Sequence, residues 1–359
     1  MTLAAKTSGE PFFEEAVIEA DGTLVATGAA KKEGIDLSYD GQWGYHPLLI
    51  SLANTQEPLF VLNRSGNRPS HEGAAAFFDR AVALCKRAGF QRITLRGDTD
   101  FSQTRFLDGW NPQGVRFVFG FDVRQNLVQR AEALEGTAWR TLERPPEHEV
   151  HTQPRARRAD VKQAIIERRE FRQLTTEVED VADFEYQPSL CATSYRVVVL
   201  RKVIGVTKGQ QLLQPEVRYF FFITNDLRAS AGAVVLEANR RCNQENLIQQ
   251  LKNGVTALRT PVDTLVSNWA YMVMASLAWT LKAWTALLLP EKGRWAAKWA
   301  SEKSQLLTME FKRFLNAFIR VPAQVVRTGR SVLYRLLSWN PWQHVFFRAA
   351  DVLEHPLRC

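Results

Sequence analysis

Cysteine is scarce in this 359-residue chain. Cys85, Cys191, Cys242 and Cys359 are the four, no two stand at CxxC spacing, and no histidine cluster accompanies them. That argues against a zinc site and against a disulfide framework, and it points to a reducing, cytoplasmic compartment. The opening residues, MTLAAKTSGEPFFEE, lack the apolar core of a secretory signal. A Gly-rich phosphate loop of the Walker type is missing, so ATP is not implied, and there is no internal repeat. A long apolar run occurs at residues 265–289, LVSNWAYMVMASLAWTLKAWTALLL, with Lys282 as its single charge. Its length would permit a bilayer span. Asn268, Ser276, Thr280 and Thr285 are spread through it, which favours a buried core helix instead.

What is present is an ordinary folded composition. Hydrophobic residues make up 45% and charged residues 23%, enough for one large domain or two smaller ones with real cores. The net charge is +8. A basic surplus suggests a polyanionic partner, nucleic acid or a membrane surface. Residues 291–359 hold 12 Lys/Arg against 5 Asp/Glu, so most of the surplus lies there, as on a binding surface. The stretch RARRADVKQAIIERREFR (155–172), with 7 Lys/Arg and 3 acids, reads either as a solvated charged helix or as a track for a DNA backbone.

Along the chain, AVIEADGTLVATG (16–28) reads as a strand that ends at Asp21, followed by a short return strand. Residues 44–54 and 57–67 are further strand candidates. SHEGAAAFFDRAVALCKRAGF (70–90) has helical spacing, with Ser70 placed to cap it and Gly89 to end it. QRITLRGDTDF (91–101) reads as a strand stopping at a Gly-Asp turn, and VRFVFGFDV (115–123) as a strand buried on both faces. This order fits an α/β mixed sheet with helices on its faces. Acids at strand ends mark where such sheets place ligand sites. The expected organisation is a first catalytic part over 1–125, a β-rich insertion over 126–228 that includes a polar linker at 144–158, a helical second part over 229–320, and a basic tail over 321–359. From Ser230 onward nearly everything reads as helix.

Residues 229–254 read as one long helix capped by Gly254. On such a helix Arg241 and Lys252 fall within about 40° of Glu245, so one face shows cation, acid, cation, with Gln249 beside them. Alone, that is a solvated face with an ion pair one turn apart. Two strand-end acids upstream change the balance. Three carboxylates converging on one point need neutralising, and hard oxygen donors select Mg²⁺ or Mn²⁺. Two such ions, about 3.5–4 Å apart, activate a water or a 3′-hydroxyl and stabilise the leaving oxygen of a phosphodiester.

LRGDTDF (95–101) resembles the Arg-Gly-Asp-Ser-Gly-Phe strand end of insertion-sequence DDE transposases, and NRRCNQENLIQQLKNG (239–254) resembles their acidic helix. Arg241, Glu245 and Lys252 match the last three positions of that helix's Tyr-x2-Arg-x3-Glu-x6-Lys signature, while its Tyr position is Ala238. The chain is most similar to insertion sequence family 1380, whose second strand the GYHPLL element at 44–49 also resembles. The resemblance covers roughly residues 15–330. It implies a ribonuclease-H-like fold with a mostly β insertion and a helical C-terminal region. It implies DNA cleavage and strand transfer, with Asp21, Asp98 and Glu245 as catalytic residues and as ligands of two Mg²⁺ or Mn²⁺ ions. Arg241, Lys252 and Gln249 are the implied DNA contacts. The implied partners are double-stranded DNA (terminal inverted repeats and target) and a second copy, as a homodimer, in a bacterial cytoplasm. Only 20 residues precede Asp21, where the family usually carries a DNA-binding region. A truncated remnant that binds DNA without cutting it is therefore the alternative, with a ribonuclease-H-like nuclease as the other.

Asp36 and Asp40 compete with Asp21 for the first acid, but an apolar strand runs directly into Asp21. Asp100 reads as a turn residue or as a second acid behind Asp98. His46 reads as a structural histidine that could approach a metal. Trp139 is a candidate for base stacking, whereas the Trp-rich stretch at 265–299 reads mainly as core.

Overall fold

A computed structural model of the chain describes residues 10–145, 161–209 and 211–354. It forms two compact units, Met1–Arg96 with Arg241–Cys359, and Gly97–Arg240.

The first unit is built on a mixed sheet. Strand β1 (Glu15–Gly22) is followed by the short strands β2 (Val25–Ala26), β3 (Asp36–Leu37) and β4 (Trp43–Tyr45), then by β5 (Leu48–Leu52), β6 (Glu57–Leu62) and β7 (Arg92–Gly97). The order is β6-β5-β1-β7, with β1 antiparallel to β5 and parallel to β7. The short strands form a separate sheet in the order β2-β4-β3. Register fixes which residues share a face, because the strand period is two. Ile18 pairs with Leu52 and with Leu95, and Ala20 with Ile50, so these apolar side chains form one layer. Onto it packs the helix Ala74–Arg87, whose Phe78, Ala81, Val82 and Cys85 are buried at helical spacing. The parallel β1–β7 pair requires a long connection, and this helix lies within it. Its N-cap is Gly73, at φ 77°, rather than Ser70. A left-handed turn is needed there, and glycine adopts it without a Cβ clash.

The opposite face of the sheet carries Val17, Glu19, Asp21, Leu49 and Val61, and it meets the C-terminal helices. Leu49 and Val61 join Leu247, Leu251, Met272 and Trp279 in one buried cluster. The helix Leu265–Leu288 starts at Thr264, whose hydroxyl accepts from the Ser267 N–H at 3.1 Å. It buries Asn268, Met272, Ser276, Trp279, Ala283 and Ala286 along one stripe. Its lone cation, Lys282, is fully buried. The Lys282 ammonium donates to the Leu307 and Met309 carbonyls at 2.8 and 2.7 Å, so it neutralises the C-terminal end of the helix Ala296–Thr308. Among the described residues no helix is long and apolar enough to cross a membrane. Beyond Ser230, where nearly everything was expected to be helix, a two-stranded hairpin forms at Ala323–Arg327 with Val332–Leu336. Its β-branched residues and the Thr328–Ser331 turn favour strands there.

The second unit contains β8 (Val115–Phe121), β9 (Arg140–Thr141), β10 (Arg172–Tyr186), β11 (Tyr195–Lys208) and β12 (Gln211–Thr224), in the order β8-β12-β11-β10-β9. All of its ladders are antiparallel. Strands β10 to β12 are 14 or 15 residues long and form most of the β-rich stretch expected over 126–228. The helix Ala231–Asn239 packs on them through Val234 and Val235. The charged stretch forms a helix at Val161–Arg168 with no buried residue, as a solvated helix should. Most of the polar linker at 144–158, including His148 and His151, lies outside the described residues.

Candidate functional site

Strand β1 presents acids at alternate positions to the face covered by the C-terminal helices. Glu15 accepts from the Thr94 hydroxyl at 2.5 Å. Glu19 is buried and holds the equally buried Arg96 through Nε at 2.8 Å and a second guanidinium nitrogen at 2.6 Å, both to Oε1. Asp21, at the end of this row, is half-buried. The neighbouring Gly22 is closely approached, since a Cβ there would stand 2.6 Å from His46 Cε1. His46 itself sits against Arg64, which donates to its carbonyl at 3.0 Å. Asp36 lies in β3 and accepts from the Leu37 N–H, and Asp40 is exposed in a turn.

The expected single helix over 229–254 is divided. One helix ends at Asn239, Arg240 and Arg241 form a turn, and a second runs Cys242–Gln249 before widening into a π-helical turn at Gln250–Gly254. No Gly or Pro marks the break. Each residue of the π turn advances through a smaller angle than in an α-helix. Lys252, within this turn, is half-buried. Burial pushes its pKa down, and the Asp21 carboxylate pulls it back up. Glu245 stays largely exposed, with Arg241 at 4.0 Å from its Oε1, the outer limit of an ion pair. Gln249 is exposed.

The contact that joins this helix to β1 comes from Gln244, which is buried. With its amide oriented to satisfy both ends, it donates to the Ala20 carbonyl at 3.2 Å and accepts from the Asp21 N–H at 3.1 Å. The opposite orientation leaves only a 3.4 Å approach to the Leu49 carbonyl. The first unit thus brings together Asp21, Lys252 and Gln244, with Glu245 next along the helix and paired to Arg241.

Asp98 belongs to the second unit. It follows β7 and caps a short 3₁₀ turn (Thr99–Phe101), its Oδ1 accepting from the Asp100 N–H at 3.0 Å. Asp100 is exposed, as a turn residue. Gly120 on β8 lies under this turn: a Cβ there would meet Thr99 N at 2.9 Å and the Asp98 carbonyl carbon at 3.2 Å. Trp139 has Arg201 stacked over its ring at 4.1 Å, so that face is occupied. Among the described residues, no group of three or more His, Cys, Asp or Glu side chains stands together closely enough to hold a metal ion.

The family model for transposase DDE domain group 1 matches residues 10–357. The chain belongs to this family. Among solved structures, the transposase domain is similar to a chain of the cryo-EM piggyBac transposase synaptic complex with hairpin DNA, at 9% identity and a TM-score of 0.39. That likeness covers 96% of this chain, which spans 58% of the piggyBac chain. No curated protein matches.

Sequence reasoning missed two features of this DDE domain. Gln244 stands at i−3, i−4 and i−7 from Leu247, Ile248 and Leu251, the buried stripe of the helix. Helical spacing alone marks it as an inward polar residue that needs a partner. The Glu19–Arg96 pair was also detectable, as opposite charges embedded in two apolar strands.

Proposed function

We propose that this DDE transposase domain cuts and joins double-stranded DNA, with Asp21, Asp98 and Glu245 as its catalytic carboxylates. The observation that supports this best is the anchoring of the Glu245 helix to the Asp21 backbone through Gln244, in a chain matched to the DDE family over nearly its whole length. The donor chemistry suits Mg²⁺ or Mn²⁺, since all three residues offer hard carboxylate oxygens. When bound, two such ions would supply nucleophile activation and charge stabilisation for phosphodiester chemistry.

The chain's own residues do the remaining work on this reading. Lys252, half-buried beside Asp21, is a fixed point charge for a DNA phosphate. Arg241 offers a fork of donors next to Glu245, and Gln249 adds an exposed amide on the same helix. Gln244 keeps strand and helix in register. The protein works on terminal inverted repeats and target DNA in a bacterial cytoplasm, as a homodimer, within insertion sequence family 1380.

The test is Mn²⁺-dependent nicking and joining of plasmid DNA by wild type, Asp98→Ala and Glu245→Ala. Activity in wild type alone supports the triad. Equal activity in all three removes it. A folded wild type that binds DNA but neither nicks nor joins it would favour a DNA-binding remnant.

A further inference from the structure

The helix Leu265–Leu288 covers the sheet with one side and leaves the other bare. Val266, Trp269, Val273, Leu277, Leu281 and Trp284 follow one another at intervals of three or four residues, each 37–66% exposed. That spacing averages 3.6 and keeps them in one straight line, about 27 Å long at 1.5 Å per residue. Met274 widens the line. Between Val266 and Trp284 Ser267 is the one exposed polar side chain, Tyr271 and Thr280 are half-buried, and Lys282 is buried on the other side of the helix. Together these side chains expose on the order of 600 Å² of contiguous apolar surface, at the upper end for a monomer and near the about 800 Å² per partner of a standard interface.

Two further features bear on the occupant. Trp269 and Trp284 stand at equal distances from the midpoint of the line, between Ser276 and Leu277. Both indoles are held from behind by the edge strand β6: Trp269 donates to the Val61 carbonyl and Trp284 to the Glu57 carboxylate. They are therefore rigid aromatic anchors of the kind that dominate interfaces. An uncharged stripe with a matched anchor at each end is complementary to itself when turned end for end.

We infer that this stripe is a dimer interface, occupied by the same helix of a second copy of this chain packed antiparallel across a two-fold axis near Leu277. Trp269 of one copy then meets Trp284 of the other, with Val273, Leu277 and Leu281 interdigitating between them at the shallow crossing angle that keeps two helices in contact over their length. This gives a surface to the homodimer proposed above and rests on that part of the reading only.

Sedimentation velocity of the full chain from 1 to 100 μM, without DNA, tests it. Wild type should dimerise in this range. Leu277→Glu places two carboxylates on the axis and should weaken dimerisation at least a hundredfold, with an unchanged circular dichroism spectrum. The volume-conserving Leu277→Met should keep the dimer. Under mild oxidation Leu277→Cys should form a disulfide between two copies of residue 277, identified by peptide mass. A wild type monomeric at 100 μM overturns the inference, and so does a dimer that Leu277→Glu leaves intact. Neither outcome touches the catalytic reading, because no arm measures DNA cutting.

Discussion

Replacing Arg96 with methionine isolates the energetics of the strand pair that carries the site. Both partners of the Glu19–Arg96 pair are buried, and both nitrogen contacts fall on the same carboxylate oxygen. At an effective dielectric near 20, two charges about 4 Å apart attract by roughly 4 kcal/mol. Removing the guanidinium leaves the Glu19 carboxylate buried in the β1–β7 layer. The expected cost of such an orphan is about 3–5 kcal/mol, a large share of the 5–15 kcal/mol that holds an ordinary domain. The double replacement Glu19→Met with Arg96→Met removes both charges and fills the space. It should recover most of the loss, within about 1–2 kcal/mol of wild type, because a well-packed apolar pair can equal a buried ion pair. Urea unfolding of the four proteins in a double-mutant cycle measures the coupling directly. A loss under about 1 kcal/mol for Arg96→Met, or a double variant as unstable as the sum of the singles, would refute the argument. The same cycle read by plasmid nicking separates stability from positioning. Asp21 lies two residues beyond Glu19 on β1, and Asp98 two beyond Arg96. A stable double variant that no longer nicks would show that the pair also aims the acids.

Two further outcomes are expected. Gln244→Leu keeps volume but removes the amide contacts to the Ala20 carbonyl and the Asp21 N–H, so it should cost about 0.5–1.5 kcal/mol in urea unfolding and raise the Mn²⁺ concentration needed for half-maximal nicking; a variant with unchanged metal dependence would show that Gln244 does not hold Asp21 in place. Burial pushes the Lys282 ammonium down to about 7, below its unfolded value, so the unfolded chain binds more protons from about pH 7 up to the ordinary lysine range and this group makes the fold more stable as pH rises through that window. The stability of wild type relative to Lys282→Met should therefore grow in favour of wild type between pH 7 and pH 10, and a difference that is flat or shrinks across those pH values would contradict the burial argument.

How far the sequence could be read depended on whether a signal was local. Strand β1 was legible because an apolar run leads directly into Asp21. The helix Ala74–Arg87 was legible because its apolar positions repeat at helical spacing. Its start was misread because Ser70 is a good cap residue, whereas the chain takes a left-handed turn at Gly73 that only packing reveals. The helix break at Arg240 and Arg241 has no local signal at all, since arginine is a strong helix former. Strand β10 was missed because RQLTTEVEDVADFEY is largely polar, and its strand state depends on pairing with β11 along its full length.

The site shows the same division. Residue type and spacing bring Arg241, Glu245 and Lys252 onto one helical segment, and that much needs only counting. Their orientation depends on the π turn at Gln250–Gly254, where the Gln250 side chain accepts from the Phe311 N–H at 3.0 Å and its backbone carbonyl closes the wide turn through the Val255 N–H, also at 3.0 Å. A contact 61 residues away in sequence thus braces the turn that carries Lys252. The half-burial of Lys252, and the exposure of Glu245 beside it, are consequences of tertiary packing on an ordinary helical sequence. An acid left open to solvent beside a half-buried cation is suited to a partner that brings both positive and negative charge.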